Sequence, residues 1–166
     1  MRVALDIDDT LGDFYAHYRE FFKADKNPKV MDNIEITRNV YKLRTNKEFW
    51  LSIPLLETID FIPEVYCTKR INPKSWSKEW LLANGFPNRP IYQLYHQKAN
   101  KATVLKGRCD VLIDDSVHNV LTCIQSGFPA LLIDRPHNQW FGPQFRIYSL
   151  CIDEIEEAYN LLLEYQ

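Results

Sequence analysis

The sequence predicts an α/β protein whose parallel sheet is wound with helices, and three observations predict it. From residue 62 onward, short apolar runs alternate with helical patterns, the arrangement that builds a parallel sheet. Two apolar runs, RVALDI at the start and DVLIDD at 110–115, end in clustered acids. Helix start and stop residues stand where the alternation needs them. At 166 residues the chain is long enough for one domain with a substantial core.

Taken in order, RVALDI reads as a short buried strand. Residues 13–24 place apolar and aromatic groups at 14, 15, 18, 21 and 22, which is helical spacing, with Asp13 suited to the positive end. The stretch from 25 to 60 is mixed, and NKEFWLSIP is its most helical part. Val65, Tyr66 and Cys67 lead a second strand to Thr68. NPKSWSKEWLLANGF then starts a helix, with Asn72 as cap and Pro73 in the first turn, and Asn84-Gly85 ends it. PIYQL, a basic stretch over 98–108, and the strand DVLIDD follow. Ser116 caps the helix VHNVLTCIQSG, PALLI is another strand, and IDEIEEAYNLLLEY a closing amphipathic helix.

Composition narrows the function. Twenty basic against 22 acidic residues offer no broad field for wrapping nucleic acid. No stretch approaches the ~20 apolar residues of a membrane span, and the acids at 6, 8 and 9 interrupt any secretory core. Cys67, Cys109, Cys123 and Cys151 are widely spaced and mostly embedded in apolar runs. They read as buried thiols in a reducing, cytoplasmic setting, although their even number leaves a disulfide pair open.

In wound parallel sheets, ligands sit beyond the carboxyl ends of the strands. Asp6, Thr68 and Asp114 each stand at such an end, so three distant segments are expected to converge, with the 13–60 insert over them as a lid. Asp6 and Asp8 alternate with Ile7 and point the same way in extended backbone. Singly, each acid reads as a cap of a turn or helix. Grouped at matching strand ends, they need a counterion or must take up protons. A hard cation such as Mg²⁺, which prefers oxygen ligands and keeps water or a phosphate oxygen in its shell, resolves the conflict.

These motifs resemble the haloacid dehalogenase-like phosphatases. DIDDT is similar to their first motif, Asp-x-Asp-x-Thr; YCT, ending at Thr68, to the second; Lys101 in KATVLKG to the third; and VLIDDS to the fourth. Within that superfamily DIDDTLGDF, EFWLSIPLLE and VLIDDSVHN followed by GFPALLIDRPHN resemble the 5'(3')-deoxyribonucleotidases and their bacterial and phage relatives. The resemblance implies a Rossmann-like three-layer fold with a small helical cap (13–60) after the first strand. It further implies a Mg²⁺-dependent phosphomonoesterase acting on a small phosphate ester, with a nucleoside monophosphate as the expected substrate.

Carried onto this chain, Asp6 becomes the nucleophile that forms an aspartyl-phosphate. Asp8 protonates the leaving alkoxide and later activates water. The Asp6 carboxylate, the Asp8 main-chain carbonyl and Asp114 hold Mg²⁺. Thr68 donates to a phosphoryl oxygen, and Lys101 supplies positive charge, with Lys98 and Lys106 as alternatives for that lysine. Asp115 orients the lysine or a metal-bound water. Asp9 stands where many relatives have glycine, and its expected role is to accept backbone N–H bonds from the following helix turn. Phe49 and Trp50 in the cap are expected near a base, and His137, Asn138 and Trp140 at the border of the pocket.

Three rival readings stand beside this one. A phospho-receiver or scaffold module also carries acids at strand ends and a lysine, but needs no acid in the place of Asp8. A nucleic-acid end-phosphatase needs a basic channel, for which Lys98, Lys101, Lys106 and Arg108 are a short candidate. Another small-molecule phosphatase of the same superfamily would share every catalytic motif.

Overall fold

The computed structural model of the chain describes residues 1–23, 39–95 and 99–164. Its strands are β1 (Val3–Leu5), β2 (Val65–Thr68), β3 (Ile91–Gln93), β4 (Val111–Asp114), β5 (Ala130–Ile133) and β6 (Arg146–Ile147). They form one sheet in the order β3-β2-β1-β4-β5-β6, and every neighbouring pair is parallel. The order reverses between β1 and β4. That crevice is where open α/β sheets bind ligands.

Register explains the continuous apolar runs. Ala4 pairs with Val65 and Leu112, and Leu5 with Tyr66 and Ile113, so successive residues serve opposite faces. Leu5, Tyr66, Ile113, Leu131 and Ile133 enter one core beneath α4 (Lys74–Ala83) and α7 (Ile152–Glu164). Ala4, Cys67, Leu112 and Leu132 enter the other, beneath α5 (Ala102–Leu105) and α6 (Val117–Gln125). A sheet covered on both faces has no polar alternation to show. The result is a Rossmann-like three-layer arrangement.

Between β1 and β2 the chain forms α1 (Phe14–Phe22), α2 (Val40–Thr45) and α3 (Lys47–Leu51). Asp13 caps α1 by accepting from the Ala16 N–H, and Asn46 caps α3 by accepting from that of Phe49 at 3.0 Å. With so little sheet to lean on, these helices bury aromatics against one another. Phe14 stacks on Trp50 at 5.6 Å and meets Phe49 edge-on at 5.8 Å, and the Trp50 indole N–H donates to the Leu43 carbonyl at 2.7 Å.

The turn after β1 aims the first acids. Leu11 and Gly12 N–H groups both donate to the Ile7 carbonyl, at 2.9 and 3.0 Å, and Asp9 takes a left-handed φ of 53°. Residues 11–13 then pair with 54–56, through Leu56 N–H to Leu11 C=O at 2.8 Å and Asp13 N–H to Pro54 C=O at 2.9 Å. A Cβ on Gly12 would lie 2.8 Å from Trp80 Cζ2 and 3.0 Å from Ile53 Cγ2. Both contacts belong to buried side chains, and the Trp80 indole is itself tied to the Ile53 carbonyl at 2.8 Å. Gly12→Ala is therefore expected to destabilise the fold by about 1–3 kcal/mol, the usual cost of overpacking; urea unfolding measures it.

Two details differ from the sequence reading. Asn72 does not cap α4: the cap position is Pro73, and the Asn72 amide instead donates to the Pro73 carbonyl and Ser77 Oγ. The two-residue strand β6 has too short an apolar run to announce itself. All four cysteines are free thiols, and Cys67, Cys109 and Cys123 are buried. No helix among the described residues is long and apolar enough to cross a membrane.

Candidate active site

Four segments meet at the β1/β4 crevice. Asp6 follows β1, Asp114 ends β4, Thr68 ends β2, and Lys101 precedes α5. All four are buried. Lys101 Nζ donates to Asp6 Oδ1 and to Asp114 Oδ2, each at 2.6 Å. Asp114 Oδ1 also accepts from the Ser116 N–H at 2.9 Å, and the Asn119 amide spans both Asp114 oxygens at 3.0 and 3.2 Å. Lys69 Nζ donates to Asn119 Oδ1 at 2.7 Å, so a second cation is coupled to Asp114 through the amide.

Burial sets the electrostatics. It pushes the Asp6 carboxyl well above the ordinary carboxylate range; Lys101 pulls it back, and Asp114 pushes it up again. Burial likewise raises Asp115, against the hydrogen bond from His137. For Lys101 burial opposes the charge, but Asp114 and Asp6 outweigh it and the ammonium is held more firmly than usual. His137 follows the same pattern: burial lowers its pKa, the hydrogen bonds and charge of Asp115 together raise it, and the balance is upward.

Asp6, Asp114 and Asp115 each offer a carboxylate oxygen within 4.8 Å of the others. Three hard oxygen donors with a single ammonium between two of them suit a hard divalent cation better than a transition metal, for which His and Cys are the usual ligands. The Asp8 carboxylate is turned elsewhere. Arg70 Nε and Nη2 both donate to its Oδ1, at 2.8 and 2.6 Å. Among the described residues no group donates to the Asp8 carbonyl.

Above the acids lies a cavity of about 500 Å³, within the usual range of small-molecule sites. Its polar lining includes Asp6, Asp8, Thr68, Lys69, Lys101 and Asp115. Apolar groups complete the lining: Phe14, Val40, Leu43 and Trp50 from the insert, with Ile71.

The expected site residues separate into two sets. Asp6, Asp8, Thr68, Lys101, Asp115 and Trp50 line the cavity, and Asp114 lies directly behind Lys101. Phe49 does not line it: neighbouring helix positions face ~100° apart, so with Trp50 toward the cavity Phe49 turns into the insert's aromatic core, 5.0 Å from the His17 ring. His137 is off the wall too, bonded to Asp115 Oδ2 at 2.8 Å. Asn138 is a structural tie, donating to the Asp115 and Ile133 carbonyls and accepting from the Arg135 N–H. Trp140 is 74% exposed and does not line the cavity. Lys106 is exposed and bonded to the Ser126 carbonyl, and Lys98 lies outside the described residues.

Other site residues went unread in the sequence. Lys69 and Arg70 directly follow Thr68 beyond a strand end, where a pair of cations is itself a signal. Asn119 falls in the first turn after the Ser116 cap, which faces the strand ends. Arg135 gave no local signal: its guanidinium donates to the Asp9 and Thr10 carbonyls at 2.7 and 2.9 Å and to Glu57 at 2.6 Å, holding the turn after β1.

Asp9 accepts the Tyr15 N–H at 3.0 Å through Oδ1, while its Oδ2 is buried with no partner among the described residues. Burial, with the Asp115 charge next, raises its pKa well above normal despite that hydrogen bond. Protonated Asp9 therefore favours the fold, and this stability is lost as pH rises through its raised pKa. Asp9→Asn keeps the acceptor and removes the charge. In chelator, the melting-temperature advantage of D9N over the wild type is expected to grow from about pH 4 upward; a gap independent of pH would contradict the assignment.

No protein-family model matches the chain, and a search among curated proteins gives no match.

Proposed function

We propose that this protein is a Mg²⁺-dependent phosphomonoesterase of the haloacid dehalogenase-like kind, working through a phosphoryl group carried on Asp6. The observation that carries the reading is the meeting of Asp6, Thr68, Lys101 and Asp114 at adjacent strand ends, with Asp8 on the wall of the same cavity. A phospho-receiver has no use for that second acid. The apolar lining, Trp50 included, supports a substrate with a flat apolar part, and a nucleoside monophosphate combines one with a phosphate.

Each residue then has a task. Lys101 holds Asp6 by Oδ1; among the described residues Oδ2 accepts no hydrogen bond, and it is the oxygen that attacks phosphorus. Lys101 and the Thr68 hydroxyl steady the transferring oxygens. Asp8 gives its proton to the leaving alkoxide as the ester bond breaks, then takes one from the water that attacks the aspartyl-phosphate. Asp6, Asp114 and Asp115, with the Asp8 carbonyl, are the groups that would hold Mg²⁺, and the bound ion supplies charge neutralisation as two anions approach. Asn119 and Ser116 keep Asp114 oriented for it.

Turnover of ribo- and deoxyribonucleoside monophosphates and sugar phosphates, with Mg²⁺ and with excess chelator, tests the reading. Hydrolysis is expected with Mg²⁺ and its loss in chelator, with nucleotides preferred. Equal turnover in chelator would overturn the metal assignment, and no turnover of any ester would overturn the function.

A further inference from the structure

Arg70 is an expensive residue in an unusual place. Its side chain is 0% exposed, while that of its partner Asp8 is 21% exposed. The guanidinium packs against two indoles, 5.2 Å from the ring of Trp50 in α3 and 5.2 Å from that of Trp80 in α4. Its Nη1 is buried and has no partner among the described residues. Burying a guanidinium costs several kcal/mol, and an apolar side chain of similar volume commonly serves stability as well or better. Stability is therefore a poor reason for an arginine here.

The hydrogen bonds suggest a better one. Both go to Asp8 Oδ1, and among the described residues Oδ2 accepts none. A planar fork that donates twice to one oxygen, and is itself packed against two rings, holds that oxygen in place and leaves the other for chemistry. The Arg70 N–H donates to Thr68 Oγ1 at 3.2 Å, so the same residue is anchored to the phosphate-side strand end.

We propose that Arg70 is the positioning residue for Asp8. It holds Oδ1 so that Oδ2 carries the proton delivered to the leaving oxygen and receives the proton of the attacking water. Arg70 donates throughout and transfers no proton itself. Because Trp50 belongs to the insert, the insert helps set the geometry of Asp8. This inference rests on the phosphatase reading above, since it presupposes that Asp8 acts on a leaving group.

The experiment is a double-mutant cycle on single-turnover phosphoryl transfer, run with wild type, D8N, R70K and D8N/R70K on a nucleoside monophosphate and on an aryl phosphate of low leaving-group pKa. Lysine keeps the charge but not the fork. R70K is expected to slow transfer from the nucleotide by roughly 10²-fold, the scale of a misplaced group, and to slow the aryl ester far less. In the D8N background the same change is expected to have almost no effect, because the residue it positions is gone. An equal loss on both esters, or an equal loss in the D8N background, would overturn the inference while leaving the phosphatase reading intact. A wild type that hydrolyses no ester overturns that reading, and this inference with it. R70Q, neutral but still a donor, is the second variant. Thermal unfolding checks each protein, and failure of both variants to fold would make Arg70 a core residue and overturn the proposal.

Discussion

Asp6→Asn is expected to abolish turnover while leaving the fold in place. The amide has the shape of the carboxylate and can still accept from Lys101, which keeps its second bond, to Asp114 Oδ2 at 2.6 Å. Burial already works against a charge at Asp6, so a neutral side chain costs the fold little. What disappears is the attacking anion and one oxygen donor to the cation. Loss of a nucleophile that works as part of a unit costs roughly 10⁴–10⁶-fold in kcat. Steady-state hydrolysis with Mg²⁺, beside a melting curve, measures both halves of this expectation. D6N turnover within tenfold of wild type would remove Asp6 from the chemistry.

The second large effect falls on Asp8. Asp8→Asn spares the main-chain carbonyl and takes away the proton donor, which is typically worth ~10²–10⁴-fold. The loss is expected in full for a nucleotide, whose alkoxide cannot leave unprotonated, and much reduced for an aryl phosphate whose phenolate leaves unaided. Because Arg70 is buried against Asp8, the amide must also satisfy the guanidinium, and a melting curve separates lost stability from lost catalysis. Single-turnover rates isolate phosphoryl transfer from hydrolysis of the intermediate. Equal rates for D8N and wild type on both esters would show that Asp8 is not the general acid.

What the sequence could and could not disclose follows from where each signal is encoded. The strand ends were legible because Asp6, Thr68 and Asp114 terminate apolar runs buried on both faces, and such runs are short and sharply bounded. Ser116 was legible as a cap because capping is a local bond between near neighbours, and Asp13 was legible as an acid at a helix start. Lys101 was legible only through the resemblance of KATVLKG, leading into DVLIDD, to the family's motifs, since its two carboxylate bonds span 95 and 13 residues. Arg70 and Arg135 act across 62 and as many as 126 residues, and no local pattern marks such partners. Phe49 was misplaced because two adjacent aromatics on a short helix look alike in sequence, and only the orientation of α3 decides which one meets the cavity. Asn138 was misplaced for the opposite reason: a polar residue beyond a strand end looks like a binding group until its amide is seen to be spent on backbone carbonyls.

The central claim is that phosphorus is transferred to Asp6. Mixing wild-type protein, in excess over a labelled nucleoside monophosphate, with Mg²⁺, quenching in acid within the first turnover and mapping the peptides by mass spectrometry reads this directly. The phosphoryl group is expected on the peptide that contains Asp6, at Asp6, with released nucleoside appearing before free phosphate, and on no peptide of D6N. Nucleoside and phosphate released together by active protein, with no phosphorylated peptide at any quench time, would contradict the account.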